Sequence, residues 1–139
     1  MQATIKLLDG VNFSATADSG YPVMIDGPPD LGGQGRGARP MELLLMGMGA
    51  CTAFDVVRIL RKARQDPEDC RVELSAERAA EEPKVFTRIH VHFVLTGRGL
   101  KPATVQRAIE LSAQKYCSAS IMLGKTAEIT HDYEIIDTG

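Results

Sequence analysis

The chain has no excess of either charge. Its 16 basic residues stand against 18 acidic ones, for a formal net charge of -2. That balance offers no general attraction to phosphate or to an anionic membrane surface, and it argues against a sequence-independent nucleic-acid binder. Cysteine is scarce as well. Three cysteines, an odd number, make no disulfide framework and read as free thiols of a reducing compartment. Met1–Asp9 lacks a basic segment followed by an apolar one, which predicts no signal peptide. The longest strongly apolar stretch, Leu43 to Met48, is too short to cross a bilayer. Internal repeats and low-complexity segments are missing too. The expectation is a cytoplasmic protein with neither membrane nor nucleic acid as partner, folded as a single domain over residues 1–139.

The elements that are present alternate in type. Thr4 to Ile25 is rich in strand formers, and Asp9-Gly10 and Asp18-Ser19-Gly20 are turn signals, so the spacing predicts a three-stranded antiparallel meander. From Asp26 to Arg39 the seven residues Gly27, Pro28, Pro29, Gly32, Gly33, Gly35 and Gly37 predict a long loop with a functional or interface role. Pro40 then opens a helix to about Arg64, apolar almost all round from Leu43 to Val57 and expected to be buried on most faces. Arg71–Ala76 and Phe86–Leu95 alternate as strands joined in a hairpin. A second helix from Lys101-Pro102 to about Lys115, a short helical piece at Ser118–Leu123 and a closing strand at Glu128–Ile136 complete the order βββ-α-ββ-α-β. This order predicts an α+β fold with mainly antiparallel pairing.

Two thiols stand in contexts of interest. Cys51 lies within the apolar helix in Gly49-Ala50-Cys51-Thr52, and Cys117 lies just past the second helix in Lys115-Tyr116-Cys117-Ser118. Free cysteine is commonly a core residue, and either thiol alone would be read that way. Cys117, however, stands at a helix junction with Lys115 close in sequence, a setting expected to lower a thiol pKa.

Pro-x-Glu-Leu-Leu at Pro40 to Leu44, Gly-Ala-Cys at Cys51 and Lys-Tyr-Cys-Ser around Cys117 together resemble the OsmC/Ohr family of osmotically inducible and organic hydroperoxide resistance proteins. The resemblance covers nearly the whole chain. It implies an intertwined homodimer, with antiparallel sheets packed around long central helices. It also implies a peroxidatic Cys51 that attacks the O–O bond, a resolving Cys117, and a dithiol that reopens the disulfide. Peroxidase members hold a glutamate directly after the helix-opening proline and an arginine near the amino terminus. Here Met41 follows Pro40, Glu42 comes one place later, and no arginine precedes Arg36. Glu42, Arg36 and Arg39 are accordingly the candidates for those two roles. The nine-residue step from Glu42 to Cys51 sets them half a turn out of phase on an unbroken helix.

The expected function is thiol-dependent reduction of organic hydroperoxides, in oxidative or osmotic stress defence. The alternatives are a non-catalytic protein that binds a small apolar ligand and a thiol redox sensor. No cofactor and no metal are expected. His90 and His92 share a strand face, but no carboxylate or cysteine motif in the sequence completes a ligand set. Cys70 and His131 fall outside both motifs, and Gly32–Gly37 lacks the lysine and the strand-to-helix context of a phosphate loop.

Overall fold

The computed structural model describes residues 1–139, which gather into two units, Met1–Met46 and Gly47–Gly139. In the first unit, Ala3–Asp9 (β1), Asn12–Ala17 (β2) and Val23–Ile25 (β3) form the expected antiparallel meander. Gly10 and Gly20 take φ of +54° and +84° in its turns, a backbone conformation that other residues rarely adopt. The glycine-rich segment that follows contains one short 3-10 turn, Pro29–Leu31, and is organised by a single carboxylate. Asp26, 1% exposed, accepts hydrogen bonds from the backbone N–H groups of Gly27 (2.9 Å), Gln34 (3.0 Å) and Arg36 (3.1 Å). A Cβ at Gly33 would overlap the Gly27 carbonyl oxygen, so this fold of the loop requires glycine there.

The long helix Pro40–Lys62 (α1) starts in the first unit and continues into the second. Glu42 closes its first turn, its Oε1 accepting from the Arg39 backbone N–H at 2.8 Å. Burial follows one stripe: Met48, Thr52, Val56 and Leu60, spaced four apart, with Gly49 beside them. The expectation of burial on most faces is thus not met within one chain. Leu44 and Met46 are each 50% exposed and Phe54 63%. Only 28% of the most apolar window of α1 is buried. Asp55 and Arg58 are the only charges between Leu43 and Leu60, so α1 as a whole is long and apolar enough to cross a membrane, where Leu43–Met48 alone was too short. The core helix of a soluble protein passes the same test.

In the second unit Asp69–Arg78 (β4) and Phe86–Gly97 (β5) form the expected hairpin, and Glu128–Asp137 (β6) joins β5 on its other edge. The β5–β6 pairing is parallel, with His92 opposite Asp132, which corrects the expectation of antiparallel sheets for this pair. Parallel neighbours need a crossover of a dozen or more residues, and here the helices between β5 and β6 supply it. The core is built on the inner face of β5, where Ile89, Val91, Phe93 and Leu95 are at most 1% exposed. Gly49 lets α1 approach β4, since a Cβ there would lie 2.7 Å from the Leu74 side chain.

Pro102–Leu111 (α2) begins with proline in its first turn and buries Val105, Ala108 and Ile109 at helical spacing. It does not continue in α form to Lys115. Ser112–Tyr116 widens into a π turn, closed by the Cys117 N–H on the Ser112 carbonyl at 2.8 Å. Cys117 then caps Ser118–Leu123 (α3).

Candidate thiol site

Three side chains of the second unit converge. Cys51 and Asp55 are four residues apart on α1, which puts them on one helix face. Cys117 comes from the junction of the π turn with α3. Both sulfurs and a carboxylate oxygen of Asp55 all lie within 4.8 Å of one another. Cys117 is fully buried and Cys51 half-buried.

The surrounding polar groups form two sets. Ser112 Oγ donates to Asp55 Oδ2 at 2.9 Å and lies 2.8 Å from Thr52 Oγ1; Thr52 and Ser112 are both fully buried. The Cys117 sulfur accepts from the Ser120 backbone N–H at 3.3 Å and from Ser120 Oγ at 3.0 Å. Burial nevertheless pushes the Cys117 thiol up, against the pull of Ser120, and the neighbouring Cys51 adds to the rise. The expected depression at a helix junction is therefore overturned by desolvation. Lys115 contributes a different contact, its ammonium 5.3 Å from the Tyr116 ring centre. Cavity space of about 460 Å³ adjoins the site, lined by Asp55, Arg58, Ile59, Lys62, Leu111 and Tyr116. The two sulfurs lie within 4.8 Å as free thiols, whereas a disulfide bond is about 2.0 Å long, so bridging them needs movement of the side chains.

A family model described as OsmC-like protein matches residues 33–132. The chain belongs to the OsmC-like family. It is 47% identical over 136 residues to Protein YhfA of Escherichia coli, covering 98% of each chain. A solved structure from structural genomics superposes with a TM-score of 0.90 at 45% identity, covering 99% of this chain and 100% of the other. An organic hydroperoxide resistance protein OsmC from Legionella pneumophila superposes with a TM-score of 0.68 at 20% identity, covering 96% and 97%, a likeness of fold alone.

Two of the remaining candidates of this OsmC-like chain, Glu42 and Arg36, have side-chain partners in its first unit. Glu42 caps α1 through Arg39, and the Arg36 guanidinium lies 3.9 Å from Asp26 and 3.5 Å from Asp9. The carboxylate within reach of the thiols is Asp55, which the sequence reading did not select. Its signal was the four-residue step from Cys51 on a helix.

The histidines also gain partners the sequence did not reveal. His90 Nε2 and His92 Nδ1 lie 2.9 and 2.7 Å from Asp132 Oδ1, and His92 Nε2 lies 3.4 Å from Glu134. Hydrogen bonding to Asp132 raises the His92 pKa, and the same contact lowers that of Asp132. His131 faces the other way, stacked on Phe93, with its Nε2 buried and unpartnered and its pKa lowered by burial. Cys70, on β4, has its pKa raised first by burial and then by Asp69.

Proposed function

We propose that this OsmC-like protein is a two-cysteine peroxidase of organic hydroperoxides. The observation that carries the reading is the convergence of Cys51 and Cys117 within 4.8 Å. Half-buried Cys51 is the thiol open to substrate. Its thiolate attacks the O–O bond, one oxygen staying on sulfur as a sulfenic acid while the other leaves as the alcohol after taking a proton. The Cys117 thiol then condenses with the sulfenic acid, forming the S–S bond and releasing water. An external dithiol returns both sulfurs to the thiol state by exchange. No step is assigned to Glu42 and Arg36, whose side chains have partners within the first unit, or to Arg39, whose backbone N–H bonds Glu42.

In this reading the protein works in the cytoplasm as a homodimer. A second copy is the cover for the apolar residues that α1 leaves exposed, Leu44, Met46 and Phe54 among them. Sedimentation at micromolar concentration is expected to give a dimer; a monomer would remove this part of the proposal.

The test of the activity is consumption of cumene hydroperoxide with dithiothreitol as reductant. Wild-type protein is expected to turn over, and Cys51→Ser to lose at least about a hundredfold in rate, as expected when a nucleophile is deleted. Unchanged turnover in Cys51→Ser would overturn the reading. A second reading has its own support. The cavity that places Arg58 and Lys62 beside Ile59, Leu111 and Tyr116 suits an apolar molecule with an anionic end, bound without chemistry. Retention of such a ligand in native mass spectrometry, with no peroxide turnover, would favour it.

A further inference from the structure

We propose that Cys51, Asp55 and Cys117 form a binding site for a divalent zinc ion. This goes beyond the peroxidase reading and does not rest on it. Two sulfurs and one carboxylate oxygen, mutually within 4.8 Å, make a three-ligand set. At Zn–S distances of about 2.3 Å, two sulfurs on a tetrahedral zinc stand about 3.8 Å apart, so closure by at most about 1 Å brings the two sulfurs onto one ion. Cys51 and Asp55 present their donors from one helix face at a four-residue step, the spacing by which a single helix offers two ligands to one metal.

Donor chemistry selects the ion. Two thiolates favour soft or borderline metals over magnesium and calcium, and the carboxylate turns the choice from Cu(I) toward Zn(II). The groups behind the ligands already do what supporting groups do in zinc sites. Ser112 Oγ donates to Asp55 Oδ2 at 2.9 Å and so orients the carboxylate. Ser120 directs an N–H and a hydroxyl at the Cys117 sulfur, at 3.3 and 3.0 Å, and so fixes its position. Three protein ligands leave a fourth position for water.

Charge and atoms balance simply. Each thiol gives its proton to solvent on binding, Asp55 enters as a carboxylate, and the occupied centre carries one net negative charge. No electron moves. Zinc and the Cys51–Cys117 disulfide exclude each other, because each uses both sulfurs.

The experiment uses the whole reduced protein under anaerobic conditions, titrated with Co(II) as the spectroscopic probe and then with Zn(II). One cobalt per chain is expected, with an intense near-ultraviolet thiolate-to-cobalt band that zinc removes. Cys70→Ser is expected to keep the band, Cys51→Ser and Cys117→Ser to lose it, and Asp55→Asn to weaken binding at least tenfold. Circular dichroism checks that each variant is folded. If Cys117→Ser is not, Cys51→Ser and Asp55→Asn decide the matter, neither residue being fully buried. A reduced wild-type protein with no band, a band that survives Cys51→Ser, or unchanged affinity in Asp55→Asn overturns the site. Peroxide turnover is read separately and does not enter this outcome.

Discussion

Asp26 and Asp55 are both carboxylates held by hydrogen bonds, and the fold holds them in opposite ways. Asp26 is gripped by three backbone N–H groups, on both of its oxygens. Once the loop from Gly27 to Arg36 has folded those donors cannot turn away, and the carboxylate is a fixed post around which glycine-rich chain is wound. Asp55 is held by one hydroxyl, Ser112 Oγ, itself on a side chain that also meets Thr52. Side-chain donors rotate, so Asp55 has freedom that Asp26 lacks. The first arrangement fixes a loop, and the second leaves a carboxylate beside two thiols. A buried backbone donor left without a partner costs about 1–3 kcal/mol, so the more backbone a group satisfies, the more of the fold depends on it.

The sharpest way to break this comparison is to delete both carboxylates in turn. Asp26→Ala leaves three backbone donors unpartnered and is expected to lower the thermal midpoint by more than about 5 °C. Asp55→Ala frees one hydroxyl and is expected to cost about 1 kcal/mol, while changing the reactivity of the two thiols toward an aromatic disulfide. Equal losses of stability in the two variants, followed by calorimetry, would erase the distinction.

Acid titration gives a second, smaller contrast. The bonds from Gln34 and Arg36, in that order, hold the Asp26 carboxyl below the usual carboxylate range. For a group whose folded pKa is depressed, the stabilisation is present above its unfolded pKa and disappears as pH falls through the folded value. Urea midpoints should therefore fall on acidification from about pH 4 downward, and Asp26→Asn should flatten that limb. A limb of the same steepness in the variant would assign the effect to other carboxylates.

The smallest effect is expected at the exposed ladder of His90, His92, Asp132 and Glu134, where the sign reverses. His92 is raised by Asp132, so its contribution is fully present below the ordinary histidine pKa of about 6.5 and is lost as pH rises through the higher folded value. The stability difference between wild type and His92→Gln should shrink as pH rises above the ordinary histidine pKa of about 6.5. A difference that grows instead would show that the pairing with Asp132 does not stabilise the folded chain.

How far these features could be read from the sequence depends on the distance over which their causes act. The meander, the β4–β5 hairpin and both long helices came from local pattern and turn chemistry, and the two cysteine contexts were enough to point to the OsmC-like fold. The parallel β5–β6 pair was not legible, because it depends on where the crossover delivers the chain. Asp132 and Glu134 were missed for the same reason: their partnership with His92 exists only in that register. The Cys117 pKa was read from its sequence neighbours, whereas its direction is set by burial, which is a property of the assembled core. Asp55 is a different kind of miss. Its four-residue step from Cys51 is local and visible in the sequence, whereas the family pattern points to Glu42 and the arginines instead.

The π turn from Ser112 to Tyr116 has a consequence for how this protein can vary. Each residue of a regular helix turns the chain by about 100°, so adding or removing one residue rotates everything downstream to another face. The wider turn absorbs one more residue than α form would, between the serine that holds Asp55 and the cysteine that meets Cys51. The segment Ala113–Tyr116 should therefore accept many exchanges of one side chain for another, yet be nearly closed to insertion or deletion. Its length, more than its spelling, is what descendants of this sequence must keep if both sulfurs are to meet.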